Sequence, residues 1–443
     1  MEKGKGTNPM KEDVFARIES ADGDVTISGV SAASLAKECG TPLYIFDETG
    51  LEQTMQAYVN DFKSDEFETR VVFASKAFSN KAVLKLCAEN GLYIDSVSLG
   101  EIYTAKSAGI DLSTIYFHGN NKTKKELRAA LEWGVGTLIL DGLEEAQTLV
   151  SIASEYPDST MRVLLRINPI VEAATHHHIQ TAAPDSKFGI PITMEERIVE
   201  TIRTVQQAEN LHFAGLHAHI GSQIFELEPY AKEIEEFAEF MVVLNDRYGI
   251  AIEEIDLGGG FGVWYSEADT PNPIAKTCAF LIDACQKTFT RCGFMPERVT
   301  IEPGRSIVAE SGYLLYTITR IKQGLKNRFY LVDGGMSDLI RPALYDARYT
   351  ASVVGAPEDA PTSLVTVAGK CCESGDIVIR DIELPEAKED DLLLIYTAGA
   401  YGISMASNYN KQPFPGVVFV KDGNWRYVLK PQSLEEMIAH ECE

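Results

Sequence analysis

The sequence predicts an α/β protein, a (β/α)8 TIM-type barrel followed by a second, β-rich domain. Three observations predict it. Apolar strand-like segments alternate with amphipathic helical stretches, the signal for βαβ units and a parallel sheet. Eight such units occupy roughly 240 residues, the size of a barrel of this class and more units than an open doubly wound sheet ordinarily carries. After Arg305 the texture changes to short strands punctuated by Gly, Pro and Asp.

In chain order, the first barrel strand is predicted at Arg70–Ala77 (RVVFASKA), with a helical stretch at Asn80–Asn90. Leu92–Ser98, Thr114–Gly119 and Thr137–Gly142 follow, each trailed by an amphipathic segment. Met161–Pro169, Phe213–Gly221, Glu253–Gly260 and Arg298–Arg305 complete the eight. Beyond them Tyr313–Gln323, Asn327–Asp333, Ser363–Ala368, Asp391–Thr397, Gly416–Lys421 and Trp425–Leu429 read as strands of a sandwich or small β-barrel. The first 45 residues offer strand material at Val25–Ile27 and Leu43–Phe46 and a helix at Ala32–Cys39, and chain ends often lie close together. The expected division is therefore 1–45 joining the β domain, 46–309 as the barrel and 310–443 as the β domain.

Composition narrows the function classes. Lys plus Arg number 40 against 65 Asp plus Glu, a net charge of −25, which disfavours nucleic acid and anionic lipid as partners. No apolar run approaches the roughly 20 residues a membrane helix needs. The first residues lack the apolar region of a secretory signal, and eight scattered Cys without a CxxC pair fit a reducing cytoplasm.

The reactive residues of a barrel gather at the C-terminal ends of its strands. There the sequence places Lys76, then Arg166 and Asn168, then His217 and His219, then the glycines of DLGGGFG, and last Glu302, Gly304 and Arg305. A lone strand-end Lys is usually a solvated charge, but FASKA delivers an amine from an apolar strand, where burial would lower its pKa and favour Schiff-base chemistry. His217 and His219, two apart, would share a face: either a metal pair or one ring stacked on a flat cofactor. The triple His176-His177-His178 sits in a loop. The glycine turn Gly258–Gly262 exposes backbone amides suited to phosphate yet matches no nucleotide fingerprint. Glu302 can keep a pyridine nitrogen protonated. An amine, a flat-ring stacker, a phosphate turn and a pyridinium partner together indicate pyridoxal 5'-phosphate, with no metal. In the β domain Gly369–Asp376 (GKCCESGD) sets thiols beside carboxylates, while Cys278, Cys285 and Cys292 recur on one helix face as core packing.

These segments resemble the bacterial diaminopimelate decarboxylase family, fold-type III pyridoxal phosphate enzymes whose barrel is of the alanine racemase type. The resemblance runs from about Val25 to Glu436 through FASKAF, FHGNNK, GLHAHIGSQI, DLGGGFG, EPGRS, SDLIRPALYDA, CESGD and GAYGISMASNYN. It implies decarboxylation of meso-2,6-diaminopimelate to L-lysine and carbon dioxide, the last step of lysine biosynthesis. By motif, Lys76 would carry the cofactor, His219 stack on its ring, Glu302 pair with its nitrogen, and Ser222, Gly260, Gly304 and Arg305 surround its phosphate. Arg305, Arg341 and Tyr345 would hold the far end of the substrate, Glu373 its ammonium, and Tyr401 both cofactor and substrate. Cys372 would be the proton donor, reaching the site from the other subunit of a homodimer. The chain departs from the family at Lys411-Gln412, Leu429–Gln432 and Ser337, and at Thr181-Ala182 in the His-rich loop.

Overall fold

Eight parallel strands close on themselves in the order of the chain. The structure, a computed structural model, describes residues 18–21, 24–169, 171, 186–357 and 359–442. The chain divides into two compact units, one of residues 54–262 and 271–304, the other of residues 1–53, 263–270 and 305–443.

The first unit is the barrel: β1 (Glu68–Ala74), β2 (Tyr93–Ser96), β3 (Ile115–Phe117), β4 (Thr137–Leu140), β5 (Met161–Asn168), β6 (Leu211–His217), β7 (Glu254–Asp256) and β8 (Arg298–Ile301). Each pairs in parallel with the next, β8 pairs with β1, and β4 with β5, so no edge is left among them. Val72, Tyr116, Ile139, Leu164 and Ala214 pack into one buried cluster, filling the barrel rather than lining a pore. Gly215 on β6 admits no side chain, because a Cβ there would lie 1.8 Å from the Glu254 carbonyl oxygen. The first three helices between strands start where short polar side chains cap them. Asn80 accepts from Val83 N ahead of Lys81–Glu89, and Thr123 forms a capping box with Glu126 ahead of Lys124–Trp133. Cys278 and Cys285 are buried on the helix Ile274–Cys292, in keeping with a packing role.

All eight predicted strands exist, but each stops one to four residues sooner than the apolar pattern suggests. The cause is chemical. The chain stays buried past the last ladder bond, and those extra residues carry the polar side chains at the C-terminal mouth.

The second unit is built on the strand Gly312–Gln323. The strand Leu43–Asp47 pairs antiparallel with it and parallel with Gly416–Lys421, so the N-terminal segment is an interior strand of the C-terminal sheet. Ile27, Leu35, Ile45, Tyr313, Leu394 and Val418 share its core. The sequence reading missed four strands here, the short Ile18–Ala21 and Val30–Ser31 and, further along, Ala351–Val353 and Ile377–Pro385. The last was hidden by Arg380, Asp381 and Glu383, with Asp381 at φ 49° interrupting its alternation. No helix among the described residues is long and apolar enough to cross a membrane.

Candidate active site

Lys76 sits in a single 3-10 turn, Ser75–Ala77, directly after β1. Ser75 and Ala77 are buried while Lys76 is exposed. The expectation of a buried amine is corrected: the strand ends at Ala74, and the turn lifts the side chain out of the apolar wall. Its charge is still felt by Asp95, Glu101 and His219. Burial raises the carboxyl of Asp95, at the end of β2, and pushes that of Glu101 up to about 7.

Glu302 follows β8 and is 6% exposed. His217 Nε2, at the end of β6, lies 3.3 Å from Glu302 Oε2, and His118 Nε2, just beyond β3, lies 2.6 Å from Oε1. Burial alone would raise this carboxyl, but the two imidazoles outweigh it and hold Glu302 well below the usual carboxylate range. Burial lowers His217 to about 3, so the ring is neutral and serves Glu302 as a hydrogen-bond donor rather than a cation. Asp256, ending β7, is pushed well up by burial and then by the charge of Glu302. The three ligand-type atoms of His118, His217 and Glu302 lie within 4.8 Å of one another, a set that can also hold a metal ion.

His219 does not share the surroundings of His217. β6 has ended by then, and its half-buried ring accepts at Nδ1 from Gly259 N at 3.3 Å. Burial, then the charges of Lys76 and Arg166, lower its pKa well below the usual value, leaving a flat neutral ring. The turn it meets must be glycine. A Cβ on Gly258 would lie 2.5 Å from Ala218 O, and one on Gly260, at φ 103°, 2.3 Å from Gly221 O. Ser222 is half-buried beside this turn, and Gly304 packs so closely on β1 that a Cβ would lie 2.8 Å from that of Ala74.

The second unit holds its own cluster. Arg305 donates to Tyr265 Oη at 2.8 Å, and its guanidinium lies 4.9 Å from the centre of the Tyr401 ring. Arg341, 7% exposed, donates to Tyr349 Oη at 2.5 Å and lies 4.9 Å from the centre of the Tyr265 ring. Burial would raise the Tyr265 phenol, but the two guanidiniums bring it below its usual value. No carboxylate among the described residues pairs with Arg341. Tyr345, half-buried, ends the short helix that Arg341 begins. The GKCCESGD segment is a turn wound around Asp376, which accepts from Met336 N and Cys371 N at 2.7 Å each. Gly335 and Gly369 make room, since a Cβ on either would lie within 2.5 Å of that carboxylate. Cys371 is buried, its thiol raised first by burial, whereas Cys372 and Glu373 are exposed. Cys372 N donates to Asn410 Oδ1 at 2.6 Å.

Lys76, His219, Gly260, Gly304 and Glu302 therefore all belong to the barrel mouth, while Arg305, Arg341, Tyr345, Cys372, Glu373 and Tyr401 belong to the second unit. Sequence reasoning missed His118 as a site residue, as well as Tyr265 and Tyr349. The His in FHGNNK was the available signal for the first, and an isolated tyrosine gives none. His176–His178 and Thr181-Ala182 lie outside the described residues.

The fold and this mouth define a class before they define a protein. Residues 49–309 match the family described as pyridoxal-dependent decarboxylase, pyridoxal binding domain, and that segment is the chain's pyridoxal-binding domain. The chain is 44% identical to the diaminopimelate decarboxylase of Staphylococcus aureus over 95% of its own length and 98% of that protein's. It is 42% identical to the Bacillus subtilis diaminopimelate decarboxylase, with 95% of each chain covered. The crystal structure of diaminopimelate decarboxylase from M. jannaschii superposes with a TM-score of 0.90 at 33% identity, covering 97% of this chain and 98% of that one. The chain belongs to the diaminopimelate decarboxylase family. A lysine/ornithine decarboxylase from Vibrio vulnificus, at 23% identity and a TM-score of 0.74, shares the fold alone.

The barrel mouth fits the cofactor that the family implies. It offers an amine at a strand end, a neutral flat imidazole, a buried carboxylate held ionised, and a turn whose amides no side chain can cover.

Proposed function

We propose that the chain decarboxylates meso-2,6-diaminopimelate to L-lysine and carbon dioxide with pyridoxal 5'-phosphate. When bound, the cofactor supplies an electron sink for the pair of electrons left behind as carbon dioxide departs. Lys76 would hold it covalently, His219 would lie against its ring, and Ser222, Gly260, Gly304 and Arg305 would take its phosphate. Glu302, kept ionised by its imidazoles, would hold a proton on the ring nitrogen, the state in which the sink is strongest.

The observation that carries the substrate choice is Arg341, a buried guanidinium with no carboxylate partner among the described residues. A buried cation left so needs an anionic ligand, and the far carboxylate of diaminopimelate supplies one. Arg305 and Tyr345 would share that carboxylate, Glu373 would read the adjoining ammonium, and Tyr401 would touch both substrate and cofactor. Lysine and ornithine lack the second carboxylate and would leave Arg341 unmatched, which costs several orders of magnitude in a site built to pair it. Cys372 would deliver the proton that replaces the lost carboxylate. Its exposure in its own chain supports a site completed by a second copy, a homodimer. A cytoplasmic setting is part of the proposal and rests on the sparse cysteines.

The test is carbon dioxide release from meso-diaminopimelate, L-lysine, D-lysine and ornithine, by wild type and Lys76→Ala with pyridoxal phosphate added. Release from diaminopimelate alone, abolished by the Lys76 change, is expected. Turnover of another amino acid in its place would overturn the substrate, and full activity in Lys76→Ala would overturn the role of the amine.

A further inference from the structure

In the FHGNNK segment Lys122 stands outside the roles assigned above, and His118 has so far been given only its electrostatic effect on Glu302. Lys122 is 8% exposed, an unusual place for an ammonium. It donates to Gly119 O at 2.6 Å and Ile139 O at 2.7 Å, and forms an ion pair with Glu145 Oε1 at 2.9 Å. Burial lowers its pKa and Glu145 works against that shift. Glu145 in turn accepts from Asp141 N at 2.8 Å, and Asp141 accepts from Gly189 N at 2.9 Å. One buried amine thus ties the ends of β3 and β4 together and fastens the carbonyl next to His118. The backbone of His118 is held on its other side, donating to Ser96 O at 2.8 Å. Its imidazole therefore leaves from a fixed origin. It ends 2.6 Å from Glu302 Oε1 and 4.0 Å from Asp95 Oδ1, with the His217 ring edge-on at 4.9 Å between centroids.

We propose that His118 is a positioning residue for Glu302, clamping its carboxylate in the orientation that serves the cofactor's ring nitrogen, and that Lys122 anchors His118. The inference rests on the reading above that Glu302 serves that nitrogen. The surroundings show why a clamp is needed. Glu302 lies among groups from five other strands: Asp95 from β2, His118 beyond β3, Arg166 from β5, His217 from β6 and Asp256 from β7. Two of these are carboxyls. With His118 gone, Glu302 keeps one partner at 3.3 Å and faces two acids, so its proton affinity rises and its plane is free to turn.

The experiment uses the holoenzyme and reads the visible absorbance of bound pyridoxal phosphate against pH, its dissociation constant, and kcat and KM separately. His118→Leu cannot donate to Glu302, whereas His118→Gln retains an N–H donor. His118→Leu is expected to move the midpoint of the absorbance change by a unit or more. It should lower kcat by about 10- to 100-fold, the cost of a misplaced catalytic group, with KM little changed. His118→Gln should restore part of both, and Lys122→Met should move them in the same direction by less. An unmoved midpoint with normal kcat in His118→Leu overturns the proposal. So does stoichiometric zinc in the wild type that is lost from the variant, which would make His118 a metal ligand. If His118→Leu does not fold, Lys122→Met decides by the same readouts, since it leaves every imidazole in place, and an unmoved midpoint there overturns the proposal. A wild type that takes up no pyridoxal phosphate would instead sink the reading of Glu302 itself.

Discussion

The two ends of the barrel each bury a glutamate, and they treat it in opposite ways. At the N-terminal end Glu254, fully buried, accepts from Tyr116 Oη at 2.7 Å, Thr300 Oγ1 at 2.8 Å, Arg298 Nη1 at 2.9 Å and Arg162 Nη2 at 3.1 Å. At the C-terminal end Glu302 has two imidazoles, its contact with His118 being an ion pair at 2.6 Å, and its neighbours are left wanting: His217 Nδ1, both oxygens of Asp95 and Asp256 Oδ2 have no hydrogen-bond partner among the described residues. A buried polar atom without a partner costs about 1–3 kcal/mol. At the first end the carboxylate itself is closed off by four donors and spends nothing on chemistry, although Arg162 Nε and Arg298 Nε beside it have no hydrogen-bond partner among the described residues. The second is an open one that becomes satisfied only when something binds, the division of labour expected of a barrel whose active face is its C-terminal one.

The sharpest break of this comparison is to make the same change at both ends. Glu302→Gln removes the charge that holds a proton on the cofactor, and kcat is expected to fall on the order of 10²–10³-fold, as for loss of one preorganised electrostatic group. Stability should fall modestly, because the stabilisation that keeps Glu302 ionised is lost together with the desolvation cost of its buried charge. Glu254→Gln should do the reverse. It takes one of two carboxylates from Arg298, which keeps Glu68, and from Arg162, which keeps Glu253, and since their side chains are 15% and 31% exposed the loss falls below that of a fully buried pair, at about 2–3 kcal/mol. Thermal melting and steady-state kinetics on the two variants check both. A large loss of kcat in Glu254→Gln would erase the distinction between the ends.

Acid sharpens the comparison further. In the folded chain His217 stays neutral down to about pH 3, whereas in the unfolded chain it takes up a proton near pH 6.5. Between those values the unfolded state binds more protons, so stability falls with falling pH by about 1.4 kcal/mol per unit on account of this residue. Both Glu254 and Glu302 are held below their usual range. Their contribution is fully present above the unfolded carboxyl pKa of about 4.5 and is lost only as pH falls below it. Glu101 and Asp338, both raised to about 7 by burial, also titrate around the window from 6.5 to 4.5, so the share of His217 is read from a substitution. His217→Gln should be relatively more stable than wild type at pH 5, by about 2 kcal/mol after normalising at pH 7.5. Denaturant titrations at the two pH values measure it, and parallel pH curves for the two chains would show that His217 titrates normally.

The same contrast explains what the sequence could disclose. DLGGGFG and EPGR are legible because close backbone approach forces glycine into fixed spacings, and Gly258, Gly259 and Gly260 each meet a carbonyl within 2.5 Å of where a Cβ would stand. Lys76, His219 and Glu302 could be named as strand-end residues from the alternation of strands and helices. His118 could not be assigned a role, because its partner Glu302 is five strands away in the chain and only barrel closure brings them together. Tyr265 and Tyr349 were silent for the same reason. Each is a single aromatic whose function is set by the guanidinium it meets. The burial of Lys76 was misread because a one-turn helix after β1 left no mark on the apolar pattern.

The smallest expected effect tests whether the N-terminal network is as closed as its distances suggest. Thr300→Val keeps the shape of the side chain and removes one of four donors to Glu254. Were Glu254 marginally satisfied, losing that donor would leave a buried carboxylate short and cost several kcal/mol. With Tyr116, Arg298 and Arg162 still in place, the charge remains paired and the loss should be about 1 kcal/mol, the net worth of one ordinary hydrogen bond. Activity should be unchanged, because nothing in this network reaches the mouth. A drop in stability near that of Glu254→Gln would mean that the four donors act as one unit. The closed end would then be as finely balanced as the open one, differing from it only in having no ligand to wait for.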